Sequence, residues 1–227
     1  MSWSAQRVSG SGAAAASLPA AAGLAAAAEP ALAQRRFWAY AATFGAAWGT
    51  LEITVGSFLH SLRLPFSGVL LAAVGAAILV AQRQVLPARG LTIATGLVAA
   101  ACKSLSPGGV ILGPMVGIST EALVVELALL LWPRAPVAAV VGGALAALWA
   151  LSQTLLTQVL FYGGDMLALY VAALERVALW LGLARGVGVR ALAAILLAFV
   201  AVGAAGGALG WRAGRACRLR LDAARDP

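Results

Sequence analysis

Phe37-Trp-Ala-Tyr-Ala-Ala-Thr-Phe-Gly-Ala-Ala-Trp-Gly-Thr-Leu-Glu-Ile-Thr-Val-Gly-Ser-Phe-Leu59 is a run of 23 residues with one charged side chain, Glu52. A helix that crosses the hydrocarbon core of a bilayer needs about 20 predominantly apolar residues. The run has that length, and Arg35-Arg36 stands immediately before it. Similar runs follow along the chain. The pattern predicts further spans at 66–81, 91–105, 116–132, 137–161 and 189–211. The composition agrees: 62% of the 227 residues are hydrophobic and 11% are charged. A soluble domain is about 45–50% apolar and about 25% charged. This excess of apolar surface has to face lipid, so the expected fold class is an all-α integral membrane protein with six transmembrane helices.

The connections carry the turn signals. They are Arg63 to Pro65, Gln82-Arg83 with Pro87-Ala88-Arg89-Gly90, Ser106-Pro107-Gly108-Gly109, Pro133-Arg134-Ala135-Pro136 and Gly163-Gly164-Asp165. Gly113-Pro114 is expected to break the chain a second time after the third span. Residues 166–186 read as helix but are interrupted by Glu175-Arg176, which predicts a short interfacial helix or lid rather than a span. Three regions follow: an Ala-rich, disordered extension over 1–36, a membrane domain over 37–211 and a basic tail over 212–227. Ala31-Leu32-Ala33 mimics a signal-peptidase site, but the run before it carries Glu29 and lacks a leucine core.

The net charge of +8 comes from 16 Lys+Arg against 8 Asp+Glu. With six spans and an internal N-terminus, Arg7, Arg35, Arg36, Arg83, Arg89, Arg134 and the tail arginines 212, 215, 218, 220 and 225 share the cytoplasmic side. Arg63, Arg176, Arg185 and Arg190 lie opposite. This bias predicts both termini in the cytoplasm. The basic residues then set topology and meet anionic lipid, and nucleic acid is the weaker reading because no polar domain carries a binding face.

Ionisable residues within spans are costly, about 2.5–3.5 kcal/mol each on insertion scales, and are functional by default. Glu52, Lys103, Glu121 and Glu126 are of this kind. In the expected topology Glu52, His60, Lys103 and Glu121 approach the extracytoplasmic side, where they line an outward-opening pocket or pin helices as a Lys–Glu pair. Glu126, five residues after Glu121, points away from it. The stretch Lys103 to Met115 frees backbone groups beside a helix N-terminus and is either a ligand-contacting loop, with Ser106 in it, or an ordinary hairpin connection. In the fifth span Gln153 and Thr157, and Thr154 and Gln158, form two polar stripes that either glue helices or line a cavity, with Trp149 and Tyr162 nearby.

Cys102 and Cys217 give neither a disulfide framework nor a metal-ligand spacing, and the single histidine excludes a polyhistidine metal site. No Gly-Lys-Ser/Thr phosphate loop, His-Glu-x-x-His, Gly-x-Ser-x-Gly or Cys-x-x-Cys motif is present. No cofactor is expected, and uphill transport by this chain needs a partner to supply the energy.

Small residues recur in the first span, on one line at Ala42 and Ala46 and on the neighbouring line at Ala41, Gly45 and Gly49. With its six spans and internal termini, the chain resembles the substrate-binding S component of an energy-coupling factor (ECF) transporter of the bacterial inner membrane. The Ala42-xxx-Ala46 pair is similar to the small-residue motif by which S components meet their transmembrane coupling subunit. Glu52 and Lys103 inside helices depart from that family's pattern and leave the solute open. The resemblance implies capture of a vitamin-like micronutrient, with two partner ATPases supplying the energy. It also implies enclosure of the solute by the loops around 61–66 and 103–115. A membrane enzyme acting on a lipid or isoprenoid through Glu52, Lys103 and Glu121, and a non-catalytic scaffold, are the competing readings.

Overall fold

The computed structural model describes residues 12–62, 67–105, 112–132, 136–162 and 187–224, with the single positions 165, 168, 172 and 179. Among them there is no strand. Six helices follow in order: α1 (Gly12–Ser61), α2 (Ser67–Val85), α3 (Leu91–Lys103), α4 (Leu112–Leu131), α5 (Pro136–Tyr162) and α6 (Val187–Ala223). Four stretches are long and apolar enough to cross a membrane: Ser67–Val85, Leu112–Leu131, Pro136–Gln153 and Ala193–Ala223. The expected spans in α1 and α3 are not among them. The α1 stretch is diluted by Glu52, Thr, Gly and Trp, and α3 has 13 residues, about 20 Å at 1.5 Å per residue. Leu70, Val74, Leu123, Leu127, Leu145 and Leu197 are exposed on these helices. So much uncovered apolar surface is compatible with a multi-pass membrane protein.

Several boundaries differ from the sequence reading, each for a local reason. The described part of the Ala-rich extension is helical from Gly12, as the high helix propensity of alanine favours. Residues 28–36 of that helix are exposed. Helix α2 runs on to Val85, so Gln82 and Arg83 are helical and buried rather than part of a turn. Helix α4 starts at Leu112 and takes Pro114 into its first turn, where the missing N–H is not needed; Gly113-Pro114 does not break the chain there. Helix α6 continues through most of the basic tail. The expected helix over 166–186 lies, apart from three single positions, outside the described residues.

The chain divides into two units, Met1–Ala39 and Tyr40–Pro227. In the first, the Phe37 and Trp38 rings meet edge to face, with centroids 5.4 Å apart. In the second, facing residues fix the helix directions. Gly45 stands at Thr95 and Val98, and Gly49 at Ala99 and Cys102, so α1 and α3 are parallel. Trp48 meets Gly75 and Gly56 meets Leu71, so α2 runs against α1. Thr92 bonds Glu126 while Gly96 packs on Ile118, so α4 runs against α3. Gly117 meets Gln153 and Gly142 meets Ala128, so α5 runs against α4. Gly206, Gly210 and Gly214 meet Ala73, Ala77 and Ala81 in order, so α6 is parallel to α2. Directions therefore alternate along the chain. The upper end carries Gly56, Lys103 and Gly113, and the lower end carries Arg83, Gly90 and Arg215.

The core between the helices is built around Trp48 from small and medium side chains, Ala76, Leu79, Val80, Ala99, Ala122, Val125 and Leu129 among them. Alanine and glycine at the crossings let backbones approach, which gains dispersion contacts where lipid offers no hydrophobic drive to associate. Ala41, Gly45 and Gly49 form the line of α1 that faces α3. Ala42 and Ala46, one residue round the helix, stay exposed.

Candidate functional site

Two buried polar clusters occupy the bundle. The upper one draws on α1, α3, α4 and α5. Lys103, the last residue of α3, reaches across to α1, where its Nζ donates a 2.8 Å hydrogen bond to the Glu52 carbonyl oxygen. The same Nζ lies 3.9 Å from Glu52 Oε2, so the ammonium is closer to the backbone than to the carboxylate it pairs with. Gly56, one turn after Glu52, lies beside this crossing: a Cβ there would stand 3.6 Å from both Lys103 Nζ and Glu52 Oε2, in ordinary contact.

Deeper in the bundle, Glu121 of α4 and Trp48 of α1 meet over Gly75 of α2. A Cβ at Gly75 would fall 2.6 Å from the Trp48 ring and 2.7 Å from Glu121 Oε1, so only glycine admits both. Glu121 Oε1 is buried without a hydrogen-bond partner. The Trp48 indole N–H is turned toward the Glu52 carboxylate but falls short of hydrogen-bond geometry. Glu52 and Glu121 are near enough to repel one another. One turn above Glu121, the Gln153 carboxamide lies over Gly117 and donates through Nε2 to the Gly113 carbonyl. Trp149, one turn before Gln153, also has a buried indole N–H without a partner.

The sequence-derived set is thus brought together in part: Glu52, Lys103, Glu121 and Gln153 belong to the upper cluster. The side chains of His60, Thr157 and Tyr162, and all of Ser106, lie outside the described residues. Of the loops around 61–66 and 103–115, residues 63–66 and 106–111 lie outside them as well. Chemically, the cluster offers two carboxylates, one ammonium, a carboxamide and two indoles to a polar solute. Among the described residues, no three His, Cys, Asp or Glu side chains are arranged to hold a metal ion.

An expected consequence is modest coupling between α1 and α3 through the lysine. Lys103→Met should lower stability by about 1–3 kcal/mol, the loss typical of a charged hydrogen bond. Thermal unfolding in detergent reads it, and an unchanged melting temperature would show that the crossing contributes nothing.

The lower cluster escaped the sequence reading. Glu126 is 1% exposed, and its carboxylate gathers three groups. Oε1 accepts from the Gly90 backbone N–H at 2.7 Å and lies 3.6 Å from Arg83 NH2. Oε2 accepts from the Thr92 hydroxyl. Gly90, at φ 78°, adopts the left-handed conformation that glycine tolerates best and turns its N–H toward α4. Beside it, Thr95 donates to Gln82 Oε1 at 2.9 Å, and Gln82 is fully buried. Glu126 therefore acts from α4 as the cap that α3 lacks in its own sequence, with Arg83 supplying the countercharge. The signal available in the sequence was the cost of Glu126 itself: an acid in a span needs donors, and Arg83 with the two threonines were the nearest.

Comparison with known proteins adds no relative: no protein-family model, curated protein or solved structure matches the chain significantly.

Proposed function

We propose that this chain is the solute-binding membrane subunit of a small-molecule uptake transporter, of the ECF S-component type, energised by partner ATPases. The observation that carries the reading is the upper cluster. Four helices contribute polar side chains toward the upper end of the bundle, and Glu121 Oε1 is left without a partner. At the other end the Glu126 carboxylate finds its donors within the chain, whereas Glu121 Oε1 finds none. In this reading all six helices cross the bacterial inner membrane. The alternating helix directions support an even number of crossings with both ends on one side. Arg83, Arg89, Arg212, Arg215, Arg218 and Arg220 lie at the lower end, which supports a cytoplasmic placement of that end. The upper cluster then faces outward and takes its solute from outside.

The exposed Ala42 and Ala46 supply the flat line on which a coupling subunit's helix would pack. The test is purification from the native membrane, with mass spectrometry of small molecules released on denaturation and of co-purifying proteins. A released solute and associated ATPase subunits are expected. Ala42→Leu with Ala46→Leu should lose the ATPases while keeping the fold and the solute, because neither residue is buried. Recovery of neither a solute nor an ATPase would refute the proposal and leave a scaffold role.

A further inference from the structure

Counting charge and hydrogen-bond capacity in the upper cluster says more about its occupant. Three ionisable side chains meet there: Glu52, Glu121 and Lys103. Lys103, the one cation of the cluster among the described residues, is already committed, with its short hydrogen bond to the Glu52 carbonyl and its charge toward Glu52 Oε2. Glu121 Oε1 faces Trp48 over Gly75, is buried, and has neither a hydrogen-bond donor nor a cation of its own. Lys103 offsets one of the two acids, and Glu121 is left without a counter-ion among the described residues. The surplus is in acceptors, and the group packed beside the orphan oxygen is the buried Trp48 indole.

We infer that the solute taken at this site is a small organic cation, a planar amidine-, guanidine- or aminoheterocycle-like group whose N–H donors engage Glu121 and whose ring packs on Trp48. The inference rests on the solute-binding reading and narrows it. Such a group supplies both things the cluster lacks: donors for the unpaired oxygen and the compensating positive charge. A planar cation also gains from an aromatic wall, since the ring quadrupole attracts positive charge. An anionic solute would instead meet two carboxylates, with the lysine already engaged.

The experiment uses three probes of one shape and different charge: benzamidine, benzamide and benzoate. Each is titrated into the full-length protein in detergent, and binding is followed by quenching of tryptophan fluorescence and by the shift in melting temperature. Benzamidine should bind about tenfold or more tightly than benzamide, the ratio an ionic hydrogen bond of about 1.4 kcal/mol gives, and benzoate should not bind. Glu121→Gln should abolish the preference for benzamidine over benzamide, and Glu126→Gln, at the other end of the bundle, should leave it intact. The wild-type charge preference stands even if Glu121→Gln fails to fold. Equal binding of benzamidine and benzamide, tighter binding of benzoate, or no binding of benzamidine overturns the inference. A neutral or anionic solute released from the native protein would overturn it too, while leaving the transport reading in place.

Discussion

Replacing Glu126 with alanine should be among the most damaging single changes in the bundle, lowering stability by about 3–5 kcal/mol, the cost of stranding one partner of a buried ion pair. The Gly90 N–H and the Arg83 guanidinium lose their acceptor, and the Thr92 hydroxyl keeps only its 3.3 Å bond to the Ala122 carbonyl oxygen; Arg83 NH1 has no partner to begin with. The double change Glu126→Leu with Arg83→Met should recover much of the loss, since a buried pair replaced by apolar side chains of similar volume is often neutral. Chemical unfolding in mixed micelles, followed by helical circular dichroism, measures both. A Glu126→Ala protein as stable as the parent would mean that the network contributes no net stability.

The second large effect is expected at the crossing of α5 and α6. A Cβ on Gly207 would collide with the Ala139 carbonyl oxygen, and one on Gly143 with the Gly203 carbonyl oxygen. Both obstacles are backbone, so no rotamer change relieves them; the helices must separate. Gly207→Val should therefore cost about 3 kcal/mol or more, at or beyond the upper end of overpacking penalties, because the opening also forfeits close contacts along the crossing. The expected outcome is loss of monodisperse protein on size exclusion. Gly68→Val, at a position with nothing near its Cβ, should behave as wild type. Equal behaviour of the two variants would contradict the packing described.

These two sites show where the sequence was readable and where it was not. Glu52, Lys103 and Glu121 stood out because a charge among apolar residues is conspicuous whatever it packs against, and their grouping followed from their common depth. Glu126 was equally conspicuous, yet its partner was not. Gln82-Arg83 looked like the end of a helix, when α2 continues for another turn with those side chains inside. Polar residues next to a Pro-containing turn carry the same local signal whether they face water or a buried acid, and only the packing of α2 on α4 separates the cases. The two small-residue lines of α1 pose the same problem. Ala41, Gly45 and Gly49 face α3, whereas Ala42 and Ala46 stay uncovered, and no property of alanine distinguishes them before the neighbours are in place.

The account turns on which side of the membrane the upper cluster faces. Ser104, exposed and next to Lys103, marks that end, and the native Cys217, exposed on the lower part of α6, marks the other. In a Cys102→Ala background carrying Ser104→Cys, intact cells treated with a membrane-impermeant maleimide should label position 104 and leave Cys217 unlabelled until the membrane is permeabilised. Labelling of Cys217 alone from outside would contradict capture of a solute from the exterior, and labelling of both would contradict a bundle that crosses the bilayer with its two ends on opposite sides.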